Sequence, residues 1–228
     1  TGAVQMTRQP GSAFKPFVYL TAFANKVTPF DILSNETKDF GGGWIPKNYG
    51  GTSGGSVTVM EALVKSMNIP TVHLADQVGI EKIIRTAKNV GISTLVTDGE
   101  YSDTNLAASL GGLTYGVSVW DMAKAYSVFA NGGKLVEPTV IMKVVDRNGK
   151  VLEDHSGAPE STQVVDEASA WTLTSVLEEV ISRGTGGNAY IGRPSAGKTG
   201  TTDDEHDAWF VGYTPDLSTA VWIGVGRP

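Results

Sequence analysis

Three strand-like segments close this chain, and the way they are joined limits its fold more than any other feature. Residues 195–202, 208–214 and 219–225 have strand length and β-favouring composition. Thr214-Pro215-Asp216 turns the second into the third. So short a link reverses the chain, which makes the pair antiparallel. The segments ahead of them read mainly as helices, and helices followed by antiparallel strands predict an α+β fold.

The helices can be placed from their start and stop signals. Pro10-Gly11 makes a break and Ser12 opens the first helix, where its hydroxyl can cap free N–H groups. Phe14, Phe17, Val18 and Thr21 recur at helical spacing, and Pro16 falls in the first turn, where a missing N–H does little harm. Residues 39–55 are glycine-rich and read as loop. Thr58 starts the next helix, with Glu61 as the partner of a capping box and Met60, Leu63, Val64 and Met67 on one face. Asn68-Ile69-Pro70 is expected to end it, since the residue before proline avoids helical dihedrals. Helices are then predicted over 71–78, 80–90, 118–130 and 168–182, and Asn131-Gly132-Gly133 stops the third of these. Arg147-Asn148-Gly149 between 140–146 and 150–153 predicts a hairpin.

Composition removes several functional classes. The 228 residues carry 18 Lys and Arg against 24 Asp and Glu, a net charge of −6 with no long basic run, so nucleic acid is not an expected partner. There is no cysteine, which excludes thiol catalysis, thiolate metal sites and disulfides. His73, His155 and His206 are scattered, with no i,i+4 pair to suggest zinc. No cofactor is called for. No apolar stretch is long enough to span a bilayer, and the start, Thr1-Gly2-Ala3-Val4, is not a signal peptide. It resembles the tail of a strand, as if the chain were a fragment of a longer protein.

Three short motifs carry the chemistry. Ser12-Ala13-Phe14-Lys15 places a hydroxyl and an amine three residues apart at a helix start, on one face. A serine becomes nucleophilic when a base takes its proton, and a lysine desolvated or set near another cation can be that base. A bare S-x-x-K is more often a capping serine and a surface lysine, so the neighbouring words matter. Ser66-Met67-Asn68 lies at the predicted helix end. If the chain turns extended there, Ser66 and Asn68 point one way and Met67 back to the core, with Ser66 able to pass protons. Asn68 as a plain helix C-cap is the competing reading.

Lys198-Thr199-Gly200 has a rival assignment. Gly192-Arg193-Pro194-Ser195-Ala196-Gly197-Lys198-Thr199 satisfies the phosphate-loop pattern G-x-x-x-x-G-K-[ST], which would make this a nucleotide-binding protein. A phosphate loop follows an apolar strand and opens a long helix, and neither flank here fits. As a strand, the segment puts Lys198 and Gly200 on one face and Thr199 and Thr201 on the other, with an edge that can accept a peptide by strand addition.

Motif order and flanking words resemble the transpeptidase domain of class A penicillin-binding proteins, among the penicillin-interacting serine acyltransferases. Arg8-Gln9-Pro10-Gly11-Ser12-Ala13-Phe14-Lys15-Pro16-Phe17, Ser66-Met67-Asn68-Ile69-Pro70, Ala196-Gly197-Lys198-Thr199-Gly200-Thr201-Thr202 and Asp207-Ala208-Trp209-Phe210-Val211-Gly212-Tyr213 carry the likeness. It runs from about Arg8 to about Gly224 and implies one transpeptidase domain over 1–228. The implied fold is an antiparallel sheet packed on helices with a helical lobe beside it, shortened at both ends. Two N-terminal strands and a C-terminal helix over the sheet have no counterpart here. Apolar residues of 220–225 are therefore expected to be exposed.

The resemblance also implies roles. Ser12 would be the nucleophile acylated by peptidoglycan stem peptides or β-lactams, and Lys15 its base. Ser66 and Lys198 would move the proton of leaving and attacking amines. Asn68, Thr199, Gly200 and Thr201 would bind substrate, and the N–H groups of Ser12 and Thr201 would form the oxyanion hole. Stem peptides, β-lactams, a glycosyltransferase domain and a membrane anchor in the parent chain are the implied partners. The implied location is the outer face of the bacterial cytoplasmic membrane. A D,D-carboxypeptidase, a β-lactamase or a β-lactam sensor would share the motifs. Met67, where one β-lactamase class has aspartate, and the lack of a Glu-x-x-x-Asn word argue against the β-lactamase.

Overall fold

The computed structural model describes residues 2–202 and 206–225. In chain order the elements are α1 (Gly2–Gln5), β1 (Thr7–Arg8), a 3₁₀ turn (Gly11–Phe14), α2 (Lys15–Ala24), β2 (Ile32–Ser34) and β3 (Ser56–Thr58). Then come α3 (Val59–Val64), α4 (Asn68–Val78), α5 (Ile80–Asn89), a 3₁₀ turn (Leu106–Leu110), β4 (Val117–Ser118) and α6 (Val119–Ala130). The hairpin region holds β5 (Lys134–Val136), β6 (Lys143–Val145), β7 (Val151–Asp154) and β8 (Ser161–Gln163). The chain closes with α7 (Glu167–Arg183), β9 (Ala196–Thr201), β10 (Asp207–Thr214) and β11 (Leu217–Gly224).

α2 organises the core. Phe17, Val18, Leu20, Ala22 and Phe23 cover every side of it, and all are buried. A helix apolar all round belongs at the centre of a fold. α4, α5 and α7 pack around it, and Phe17 meets the rings of Phe14, Tyr126 and Phe129 edge-on or tilted. Each large side chain buried there contributes roughly 1.5–3 kcal/mol.

The main sheet is antiparallel in the order β11-β10-β9, as the short turn at Pro215 requires. Trp209, Val211, Tyr213, Lys198 and Gly200 lie on the face turned to the helices, against α6 and α7. The opposite face is open: Leu217, Val221 and Ile223 are exposed, as the alternation of β11 predicts. The α+β reading and the closing strands hold to within two residues.

Local expectations fare unevenly. Thr58 caps α3 through the Glu61 N–H at 3.1 Å, but the Glu61 carboxylate pairs with Arg183 and Lys65. Gly2–Gln5 is a short helix where the sequence suggested a strand remnant. The capping hydroxyl expected of Ser12 is absent; Pro10 precedes the turn and no side chain caps it. Asn68 does not end a helix but begins α4, with Pro70 in its first turn, where its missing N–H is again harmless.

Candidate active site

Three elements meet at one hydroxyl. The 3₁₀ turn carries Ser12, half-buried, and continues directly into α2, whose first residue is Lys15. The Lys15 amine is fully buried and donates to the Ser66 carbonyl at 2.7 Å, to Asn68 Oδ1 at 2.7 Å and to Ser66 Oγ at 3.3 Å. From β9, the equally buried Lys198 donates to Ser66 Oγ at 2.9 Å and to its neighbour's carbonyl, Thr199 O, at 3.0 Å. Ser66 thus stands between two lysines, one from each of the other motifs.

Ser66 is held by an unusual backbone. Its φ of +54° is left-handed, one of two such non-glycine residues among those described. The Ser66 N–H donates to Leu63 O and the Met67 N–H to Ala62 O, which closes the end of α3. Met67 is extended and Asn68 enters α4. Ser66 and Asn68 therefore reach the same amine through a tight reversal, not through the two-residue strand alternation expected. Met67 is half-buried.

The turn bearing Ser12 lies on β9 at backbone contact. A Cβ on Gly200 would strike Pro10 O and approach Ala13 N to 2.9 Å; one on Gly11 would come within 2.5 Å of Thr201 O. Gly11 has φ +51°, so glycine is needed there for conformation as well as space. The Gln9 side chain brackets Leu113, accepting its N–H at 2.9 Å and donating to its carbonyl at 2.6 Å, while Trp209 Nε1 donates to Gln9 O at 2.9 Å. Tyr126 donates its buried hydroxyl to Ala13 O at 2.7 Å. None of Gln9, Trp209 and Tyr126 is singled out as a site residue by the sequence.

β9 is the sheet edge facing this turn. The Thr202 N–H donates to Asp207 O at 3.1 Å. Hydrogen-bonded and non-bonded pairs alternate along an antiparallel ladder, so the Thr201 N–H is directed off the free edge, away from β10. Ser12 lies in the first turn of its helix, where N–H groups lack partners within the helix. Thr199 is half-buried on the outward face and exchanges a hydrogen bond with the Thr185 hydroxyl at 2.9 Å. Thr201 is exposed. All the residues expected from the three motifs, Ser12, Lys15, Ser66, Asn68, Lys198, Thr199, Gly200 and Thr201, come together here.

Electrostatics prepare the site for proton transfer. Burial drives the Lys15 amine well below the ordinary lysine range, and the neighbouring Lys198 pushes it further. Burial lowers Lys198 to about 7. Amines lowered in this way around one serine hydroxyl form a network suited to taking and returning a proton. Among the described residues no group of three His, Cys, Asp or Glu is placed to hold a metal ion, and no helix is long and apolar enough to cross a bilayer.

The phosphate-loop reading fails on this geometry. Ala196–Thr201 is a strand, no helix follows Thr199 among the described residues, and the Lys198 amine is buried against Ser66.

Comparison with known proteins shows the family. Residues 1–226 match the family described as the penicillin binding protein transpeptidase domain. Penicillin-binding protein 1A of Aquifex aeolicus is 39% identical over 97% of this chain, and penicillin-binding protein 1F of Bacillus subtilis 36% identical over 98%. The chain spans only 30% and 31% of the length of those relatives. The structure of PonA1 from Mycobacterium tuberculosis in complex with penicillin V superposes with a TM-score of 0.88 at 32% identity, over 97% of this chain and 61% of that one. The chain belongs to the penicillin-binding-protein transpeptidase domain family, as the class A resemblance of its motifs led one to expect.

Proposed function

We propose that this chain is a serine D,D-transpeptidase domain that cross-links peptidoglycan stem peptides, with Ser12 as the nucleophile. The observation that carries the reading is the convergence of Lys15 and Lys198 on Ser66 Oγ, with the half-buried Ser12 three residues ahead of Lys15 at the same helix start. Likeness to a protein solved with penicillin V supports it.

Ser12 Oγ attacks the carbonyl of the penultimate D-alanine, forming an ester as the bond to the last D-alanine breaks. Lys15 takes the serine proton. Its amine is held on Ser66 and Asn68, three residues along the same helix start from Ser12, and catalytic hydrogen bonds often tighten in the complex. Ser66, bonded to both lysines, passes the proton to the departing amine. An acceptor amine then attacks the ester, gives its proton back along the same route and frees Ser12. The N–H groups of Ser12 and Thr201 stabilise the oxyanion, typically worth about 10²–10³ in rate per donor. Thr199 and Thr201 bind the terminal carboxylate, Asn68 the peptide amide, and Gly200 lets the peptide lie close to β9. β-Lactams acylate Ser12 as mimics of the stem terminus.

On this reading residues 1–228 are one transpeptidase domain of a longer chain that also carries a glycosyltransferase domain and a membrane anchor. It works on the outer face of the cytoplasmic membrane. A D,D-carboxypeptidase would differ only in using water as acceptor.

Intact-protein mass after incubation with benzylpenicillin tests the chemistry. One adduct on the parent and none on a folded Ser12→Ala variant is expected; an adduct that survives the substitution, or a folded parent that takes none, defeats the assignment. Incubation with a stem pentapeptide and an acceptor amine then separates cross-linked product from simple loss of D-alanine.

A further inference from the structure

Asn48 lies in the glycine-rich loop between β2 and β3, far in sequence from all three motifs, and is buried. Its Oδ1 accepts two backbone N–H groups at once, from Asn68 at 2.8 Å and from Ile69 at 2.9 Å. These are the first N–H groups of α4, the ones a helix cannot satisfy internally. Met67, the residue that should cap α4, makes no side-chain cap, so Asn48 supplies the cap from twenty residues away.

The other end of the amide is fixed as well. Asn48 Nδ2 donates to Asn35 Oδ1 and to Thr52 O, both at 2.7 Å, and Asn35 Nδ2 donates to Gly54 O at 3.1 Å. The residue before it, Lys47, receives the Asn68 Nδ2–H on its carbonyl at 2.8 Å. That bond orients the Asn68 amide so that Oδ1 faces the Lys15 amine. The loop at 47–48 therefore grips both the backbone and the side chain of Asn68.

We infer that Asn48 is a positioning residue for the reaction, fixing Asn68 and, through Asn68, the place of the Lys15 amine. The inference rests on the serine acyltransfer reading given above. It assigns a task to the loop that the three motifs leave unexplained: to hold the second motif against the first from outside both. A displacement of about 1 Å at a catalytic centre can cost about 10² in rate.

The test is a double-mutant cycle read as the second-order rate of acylation by a fluorescent penicillin. Asn48→Ala is expected to slow acylation about 10–100-fold, the range that misplacement predicts. In an Asn68→Ala background the same change should cost no more than about threefold, because residues acting through one another are not additive. A purely structural loss would persist in that background, and full additivity overturns the inference. So does an Asn48→Ala variant that acylates at the parent rate. If Asn48→Ala lacks a cooperative thermal transition, Asn48→Asp carries the test, since it keeps the acceptor and loses the donors. A loss of acylation that shrinks to no more than about threefold in the Asn68→Ala background then supports the inference, and a loss that persists in full there overturns it. A folded parent that takes no adduct at Ser12 overturns this inference together with the reading beneath it; a reactive parent with an indifferent Asn48→Ala overturns the inference alone.

Discussion

The amines of Lys15 and Lys198 share a single acceptor, Ser66 Oγ, at 3.3 and 2.9 Å. Two buried cations around one hydroxyl would repel each other and lack a counter-charge, so near neutral pH at least one of the pair is neutral. Lys15→Arg puts this to use. Arginine cannot release its proton, and acylation of Ser12 should fall by roughly 10²–10⁴, the usual worth of a general base. Lys15→Met should fall as far and also lose about 1–3 kcal/mol of stability, because Ser66 O and Asn68 Oδ1 lose their donor. Acylation rates and thermal melts of both variants check this; an active Lys15→Arg enzyme would rule Lys15 out as the base.

Stability should rise with pH above neutrality. Lys198 has its value lowered to about 7 in the folded chain, against about 10.4 when unfolded. Between those values the unfolded state binds the proton and the folded state does not, so raising pH favours folding. The slope approaches about 1.4 kcal/mol per pH unit for one such group. Lys15 acts in the same sense. The gain ends near pH 10, where the buried Tyr19, Tyr126 and Tyr213, all held above the ordinary tyrosine range, begin to oppose it. Urea unfolding at pH 7, 8 and 9 should show the rise, and Lys198→Met should reduce it to the part that Lys15 contributes. A parent whose stability stays level over that interval would contradict the buried neutral amine.

Gly111→Ala should harm both fold and site. Gly111 caps the 3₁₀ turn at Leu106–Leu110 with φ +84°, and a Cβ there would run into the Gly11 carbonyl and lie 2.6 Å from Gly11 Cα. Strain and overlap together should cost about 2–4 kcal/mol. Because Gly11 is next to Ser12, acylation should slow as well. Denaturant midpoints and acylation rates of the variant are the measurements; a neutral substitution would mean that the two turns are not in contact.

Tyr126→Phe isolates one hydrogen bond. The hydroxyl it removes satisfies Ala13 O, in the turn that carries Ser12, and the site is buried. Leaving that carbonyl unpaired should cost about 1–3 kcal/mol. The ring contacts with Phe17, Phe129 and Tyr213 are kept, so the loss measured by urea unfolding belongs to the bond.

What was legible in the sequence is what short-range chemistry encodes. The β10–β11 turn, the α6 stop at Asn131-Gly132-Gly133 and the hairpin around Asn148-Gly149 follow from local backbone preferences, and all three appear. The candidate site residues are proposed from the words that flank each motif, because a bare S-x-x-K is more often a capping serine and a surface lysine. Asn68-Ile69-Pro70 was misread because a proline signals both the end of one helix and the first turn of the next, and α3 and α4 are separated by only Lys65, Ser66 and Met67. Asn48 left no trace: apart from Thr52 its partners lie 13 and 20 or more residues away, and a glycine-rich loop shows no periodicity from which a cap could be inferred.

The left-handed turn at Ser66 has a consequence for anyone who would evolve this chain. A non-glycine residue at φ +54° costs roughly 1 kcal/mol or more that glycine would recover. Selection for heat tolerance alone would therefore reward Ser66→Gly, and with it the loss of the hydroxyl that both lysines share. Lineages chosen for sturdiness would become robust and chemically silent, whereas lineages also challenged to react with penicillin would keep the serine and find their added stability elsewhere.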